Sequence, residues 1–197
     1  MNQVVFVDAN VWFSRALRDW IGLLYTTPDA APFEVKWTED VLAEVLYHLR
    51  RKHPEWAGSR ITGIRDRLAA TFEVGRVDDF TLGDDYKGGD PFDAHVHAAA
   101  VACRSDILLT TNVADFYWDD NESSYEVMTP DEFLLLVDDS SPELVVEVTV
   151  ARCHYWFQLN GEANLPSKLR AAGCPGFAER VRLHLLSNGD RIRAATS

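Results

Sequence analysis

Apolar residues recur along this chain with two periods. Val4-Val5-Phe6-Val7 and Ile107-Leu108-Leu109 are continuous apolar runs, the pattern of parallel strands buried on both faces. Elsewhere apolar residues return every three or four positions, as on amphipathic helices. Phe13, Leu17, Trp20 and Leu24 predict a helix over 12–24. Val41, Leu42, Val45, Leu46 and Leu49 predict another, from a Thr38 cap to about Lys52. Glu39 and Asp40 suit its positive end and Arg50-Arg51-Lys52 its negative end. Ile61, Ile64 and Leu68 mark a third helix over 54–70. The alanine-rich run His95–Cys103 is a fourth, with Asp90 as its N-cap and Pro91 at its first position. Phe72–Val77 reads as a short strand weakened by Gly75, and Tyr125–Met128 as an edge strand.

Polar stretches divide these elements. Residues 26–32, 77–89 and 117–124 read as loops. Thr129–Val137 is a short helix, and the polar break Asp138–Ser141 predicts a domain boundary. Residues 1–138 then form an α/β domain and 139–197 a small helical C-terminal extension. Ser141-Pro142-Glu143 opens like a helix, although the β-branched Val145, Val146, Val148 and Val150 weigh against one. Gly161, Pro166, Gly173 and Pro175 cut the remainder into short helical pieces.

Charge changes this picture. The net charge of −12 argues against nonspecific nucleic-acid binding. Residues 1–150 carry 12 Lys/Arg against 28 Asp/Glu, or −16, whereas residues 151–197 carry 7 against 3, or +4. The basic tail either complements the acidic body or helps to hold an anionic substrate or acidic partner. Cys103, Cys153 and Cys174 are widely spaced and odd in number, which suits a reducing cytoplasm better than a disulfide framework. No basic start followed by a long apolar run predicts a signal peptide, and no apolar run is long enough to span a membrane.

The candidate chemistry lies where buried strands end. Asp8 follows the first strand directly and either caps the next helix or stands at the sheet's carboxyl edge, where ligands bind in open α/β sheets. Glu44 and His48 fall just outside the buried arc of their helix; His48 reads as ordinary helix surface. Asp93 has capping-box spacing from Asp90, as Glu132 has from Thr129, yet its helix feeds into the strand that ends at Thr110 and Asn112. His95 and His97 lie ~200° apart on that helix, so only one can face a given site. Asp115 follows three residues after Asn112. Clustered carboxylates repel one another by roughly 4 kcal/mol per pair at ~4 Å and an effective dielectric of ~20, so such a group needs protons or cations. Oxygen ligands favour Mg²⁺ or Mn²⁺ over zinc. No Ser–His–Asp spacing, glycine-rich phosphate loop or Cys/His zinc pattern is present. Asn10 replaces the second acid of the DxD with which phosphatases of the haloacid dehalogenase type begin.

The segments VVFVDANVW, TEDVLAEVLYHL and DPFDAHVHAAAVACRSDILLTTNVADF together resemble a PIN domain, in particular the VapC-type ribonuclease toxins of type II toxin–antitoxin systems. The resemblance covers residues 1–138. It implies a three-layer α/β/α fold with a short central parallel sheet, and Mg²⁺- or Mn²⁺-dependent cleavage of RNA. It further implies a cognate antitoxin and a homodimer. By position it makes Asp8, Glu44, Asp93 and Asp115 catalytic, with Asp8, Asp93, Asn112 and Asp115 as metal ligands. Asn10, Thr110, Arg170 and Arg182 are candidate substrate contacts, and Arg152, Lys168 and Arg180 are further candidates for the RNA backbone. Many PIN domains carry an acid where this chain has Asn112, which adds no charge. A catalytically weak module binding RNA or protein is the alternative reading. A flap-nuclease-like activity on DNA is disfavoured, because the chain has no room for large helical clamp insertions.

Overall fold

The computed structural model describes residues 2–27, 31–116, 124–161 and 163–196, with the side chains of 160 and 193–196 left aside. Parts of two expected loops, 28–30 and 117–123, therefore lie outside the described residues. The chain forms two compact units, Met1–Arg15 with Phe33–Thr129 and Ala16–Pro32 with Pro130–Ser197.

The first unit is built on four strands, β1 (Gln3–Val7), β2 (Phe33–Lys36), β3 (Ile107–Leu109) and β4 (Glu126–Met128). They form one all-parallel sheet in the order β2-β1-β3-β4. The two continuous apolar runs are its central strands, and Val5, Phe6, Val7, Ile107, Leu108 and Leu109 are all buried. Val7 pairs with Leu109, so β1 and β3 end level with each other. β4 is an edge strand, as its sequence predicts. β2 was not legible, because four residues alternating Phe33-in and Glu34-out give too short a signal. This mixed α/β fold with a parallel sheet is compatible with α/β/α layering.

The expected helix over 12–24 is two helices, α1 (Ala9–Phe13) and α2 (Arg15–Thr26), separated by Ser14 in an extended conformation. α1 starts early because the Asp8 carboxylate accepts from the Ala9 N–H. In α3 (Glu39–Lys52) the Thr38 hydroxyl accepts from the Val41 N–H, and Val41, Leu42, Val45 and Leu49 are buried. α4 (Gly58–Thr71) buries Ile61, Ile64 and Leu68. Phe72–Val77 is not a strand: Glu73–Gly75 is a 3₁₀ turn, and Arg76 makes a single parallel bridge to Trp37. Gly75 is required there, since a Cβ would collide with the Val35 carbonyl. A further 3₁₀ turn, Pro91–Asp93, leads into α5 (Ala94–Ala102).

The second unit is helical: α2, α6 (Pro130–Ser140), α7 (Pro142–Asn160), α8 (Leu165–Ala171), α9 (Pro175–Ser187) and α10 (Gly189–Thr196). The expected break at 138–141 begins inside α6. Asp138 is buried there, with His184 Nε2 at 2.7 Å and Arg180 Nη1 at 3.4 Å. α7 is one 19-residue helix despite its valines, because Leu144, Val145, Val146 and Val148 are buried, and packing outweighs their weak helix preference. It stops at Gly161, whose φ of 73° is left-handed. Asp131 does more than start its own helix. Its carboxylate accepts the N–H groups of Gly176 at 3.0 Å and Phe177 at 2.8 Å, at the beginning of α9. Trp20 of α2 meets Phe177 edge-on, with ring centroids 5.0 Å apart.

Candidate active site

Asp8 stands at the joint between the two central strands. Its N–H donates to the Leu109 carbonyl at 3.0 Å, extending the β1–β3 ladder by one bond. Its buried carboxylate then faces a set of neutral donors. Oδ2 accepts from the Thr110 hydroxyl at 2.7 Å and from Asn10 Nδ2 at 2.6 Å. Asn10 also donates to the Thr110 hydroxyl oxygen at 2.9 Å and accepts the Thr111 N–H at 2.9 Å. Thr110 in turn accepts the Asn112 N–H at 3.0 Å. Asp8, Asn10 and Thr110 thus cross-link two strand ends about one hundred residues apart in sequence. Burial raises the Asp8 pKa; the Thr110 and Ala9 hydrogen bonds pull the other way, and the charge of Glu44 adds to the rise.

Glu44 sits at the border of α3, half exposed, with Oε1 2.6 Å from His95 Nε2. Burial disfavours the imidazolium of His95. The Glu44 hydrogen bond and the charges of Glu44, Asp40 and Asp8 nevertheless lift its pKa above the ordinary value. His97, on the other side of α5, faces away into its own contacts, with Tyr125 Oη at 2.7 Å and Asp85 Oδ2 at 3.2 Å.

Asp93 makes no helix-capping bond. Asp90 does the capping, accepting the Phe92 N–H at 2.9 Å. Asp93 instead accepts a long bond from Asn112 Nδ2, at 3.5 Å. Its pKa is pushed up to about 6, first by burial and then by repulsion from Asp8, Asp90, Asp115 and Glu44. Asn112 Nδ2 also donates to Asp115.

Asp8, Glu44 and Asp93 line one cleft of about 390 Å³, with Asn10 and Thr111. Three segments of chain, ending β1, bordering α3 and preceding α5, are thereby brought to one place. Thr110 is fully buried beneath them, as a support for Asp8. Asn112 and Asp115 are not part of the lining and join the group through the Asn112 amide. Phe13 and His48 complete the wall, their rings edge to face at 6.0 Å. His48 is exposed helix surface, as expected, and also borders the cleft, whereas His95 went unassigned. The border position that singled out Glu44 applies equally to His48, one turn on.

The basic candidates lie in the second unit, each with a partner there. Arg170 and Arg182 both pair with Glu179, at 3.6 and 2.6 Å. Arg180 pairs with Asp138 and Asp139, and Arg152 with Asp19 at 3.0 Å. Lys168 Nζ lies 2.9 Å from the centroid of the Trp156 ring.

The cleft's donor set is chemically suited to a hard cation: carboxylate and amide oxygens, with Asp8 raised in pKa by burial and the charge of Glu44, and Asp93 by burial and repulsion from its acidic neighbours. Among the described residues, however, no three His, Cys, Asp or Glu side chains form a ready-made ligand group. Asp8, Glu44 and Asp93 are each held by a different protein partner, so closing a shell requires some of those bonds to give way. Comparison with protein-family models, curated proteins and solved structures finds no match for the chain.

Proposed function

We propose that the protein is a metal-dependent endoribonuclease of the PIN-domain type, the toxin of a toxin–antitoxin pair, with a three-layer α/β/α nuclease fold. The observation that carries this reading is the shared cleft of Asp8, Glu44 and Asp93 at the carboxyl edge of a parallel sheet. The motif resemblance supplies the class of reaction and substrate.

Asp8, Glu44 and Asp93 would hold Mg²⁺ or Mn²⁺, with the Asn112 amide, which also donates to Asp115, orienting Asp93. When bound, a divalent cation neutralises charge on a phosphodiester and makes water a better nucleophile. Asn10 and Thr110 aim the Asp8 carboxylate without cancelling its charge. Asp93, with a pKa of about 6, gains or loses a proton close to neutral pH. Phe13 gives the cleft an apolar side against which a base or sugar can rest. A homodimer and a cognate antitoxin belong to the same proposal.

Purified protein should cut RNA in Mn²⁺ or Mg²⁺ and stop on chelation. Asp8→Asn keeps the shape and an acceptor oxygen, so it should retain the fold by circular dichroism and lose cleavage. Full activity in Asp8→Asn refutes the role given to the carboxylate. The bond from Asn112 to two acids favours a second reading, a binding module with weak catalysis. Absence of divalent-ion binding at millimolar metal would decide for that reading.

A further inference from the structure

The outer face of α3 continues the cleft wall. Glu44, His48 and Lys52 stand four residues apart, one turn above another on a single ridge of the helix. Glu44 and His48 line the cleft together with Phe13. Lys52 stands two turns, roughly 12 Å, along the axis from Glu44. Its Nζ is 4.8 Å from the centroid of the Phe13 ring. The neighbouring ridge repeats the pairing. The Arg51 guanidinium lies 5.5 Å from the ring of Tyr47, one turn earlier, and Nη1 is 3.4 Å from the Tyr47 hydroxyl. Tyr47, His48, Arg51 and Lys52 are all exposed.

These two cations are held differently from most others in the chain. Lys36, Arg65, Arg76, Arg152 and Arg180 each meet a carboxylate. Arg50 is spent on the carbonyls of Pro54 and Trp56, in the turn after α3. Among the described residues, Arg51 and Lys52 meet aromatic side chains and no acid. A ring face attracts a cation without cancelling its charge. Both charges therefore stay available to an outside anion, beside a cleft whose own acids would repel one.

We propose that this face of α3 is the track for a single-stranded RNA leaving the cleft: Lys52 and Arg51 contact its phosphates, and the exposed ring of Tyr47 packs against a base. The proposal rests on the nuclease reading for the identity of the substrate and adds where that substrate lies. Arg170, Arg180 and Arg182 already face acids, which leaves the phosphate contacts to α3. Cations interleaved with aromatic rings suit a strand whose bases are unstacked, since one set meets the backbone and the other the base faces.

The test is binding of a short fluorescein-labelled oligoadenylate, read by fluorescence anisotropy in chelator so that nothing is cut. Lys52→Gln and Arg51→Gln should each weaken binding about three- to tenfold and take roughly 0.7 off the slope of log K against log salt, the signature of one lost phosphate contact. Tyr47→Ala should weaken binding and leave the slope in place, because a stacked base releases no counterions. Arg65→Gln removes the same charge where Arg65 pairs with Glu39, at the other end of α3, and should leave the affinity nearly unchanged. In Mn²⁺, Lys52→Gln should raise KM for RNA cleavage and spare kcat. Wild-type affinity and slope in both cation variants overturn the track; if those variants also cut RNA as the wild type does, the nuclease reading stands without it. Polyglutamate displacing the probe as effectively as unlabelled oligoadenylate would make this face a surface for an acidic protein, and overturns the track as well. Probe binding with the expected variant pattern but no cleavage sustains the track and overturns catalysis. A wild type that neither binds the probe nor cuts RNA in Mn²⁺ overturns the nuclease reading, and the track with it.

Discussion

Replacing Asp93 by Asn should stabilise the metal-free protein while abolishing its cleavage of RNA. The Asp93 carboxyl stands at about 6 instead of the ordinary 3.8, because it is partly buried among four other acids. At ~1.4 kcal/mol per pH unit, that gap corresponds to about 3 kcal/mol of cost to the folded state once the group is ionised. One side of the cleft meets water, and screening reduces the figure to about 1–2 kcal/mol. The sign follows from proton binding. The folded protein holds this proton more tightly than the unfolded chain, so stability falls as pH rises from about 4 to about 6 and stays low above it. Asn keeps an acceptor oxygen for Asn112 and carries no charge. In chelator at pH 7.5, Asp93→Asn should therefore raise the urea midpoint and add about 2–6 °C to the melting temperature. At pH 4 the two proteins should be nearly equal. If Asp93→Asn destabilises the protein at pH 7.5 as much as at pH 4, the carboxylate is not under electrostatic stress in this cleft and the argument fails.

Divalent-ion affinity should rise with pH through about 6, because the cation needs the ionised form of Asp93; a profile flat between pH 5 and 7.5 in a calorimetric titration would oppose this. Thr110→Val keeps the shape of a fully buried side chain but removes a hydroxyl shared by Asp8, Asn10 and the Asn112 N–H. It should cost about 1–3 kcal/mol by urea titration and weaken metal binding, since Asp8 loses a bond that favours its ionised form. Asp131→Ala leaves two N–H groups at the start of α9 uncapped and should cost about 1–2 kcal/mol, read as faster amide exchange in the first turn of α9.

What the sequence made legible follows from how far each signal extends. β1, β3 and α3 were readable because their cues are local and agree with one another: continuous apolar runs, a Thr38 cap, acids at one end and bases at the other. β2 was invisible because a four-residue strand is defined by its neighbour β1. The helix over 12–24 hid a break, since apolar spacing is continuous across Ser14 and nothing in the residue itself announces an extended ψ. Phe72–Val77 looked like a strand because its aromatic and branched residues suit one, yet the close passage of Gly75 over Val35 sets a turn. In the site, the acids were found by their positions at element ends. Their partners were not: the pairing of Asn10 with Thr110, or of Glu44 with His95, is a fact of three dimensions with no short-range trace.

Those partners differ in kind, and the difference has a physical consequence. A buried carboxylate can be stabilised by charge or by oriented dipoles. Lys or Arg beside Asp8 would neutralise it and hold its pKa low, but would also cancel the potential that draws in a cation. Thr110, Asn10 and Asn112 are hydroxyl and amide donors: they fix the direction of Asp8 and Asp93 and leave the charge in place. The elevated pKa of Asp93 comes first from burial and then from that choice, because uncompensated neighbours make its ionisation costlier still. The same logic explains why the group can be stitched into the sheet without losing chemical purpose. The hydrogen bonds that join the ends of β1 and β3 are those that orient Asp8, so tightening the fold at this joint also narrows the directions the carboxylate can take.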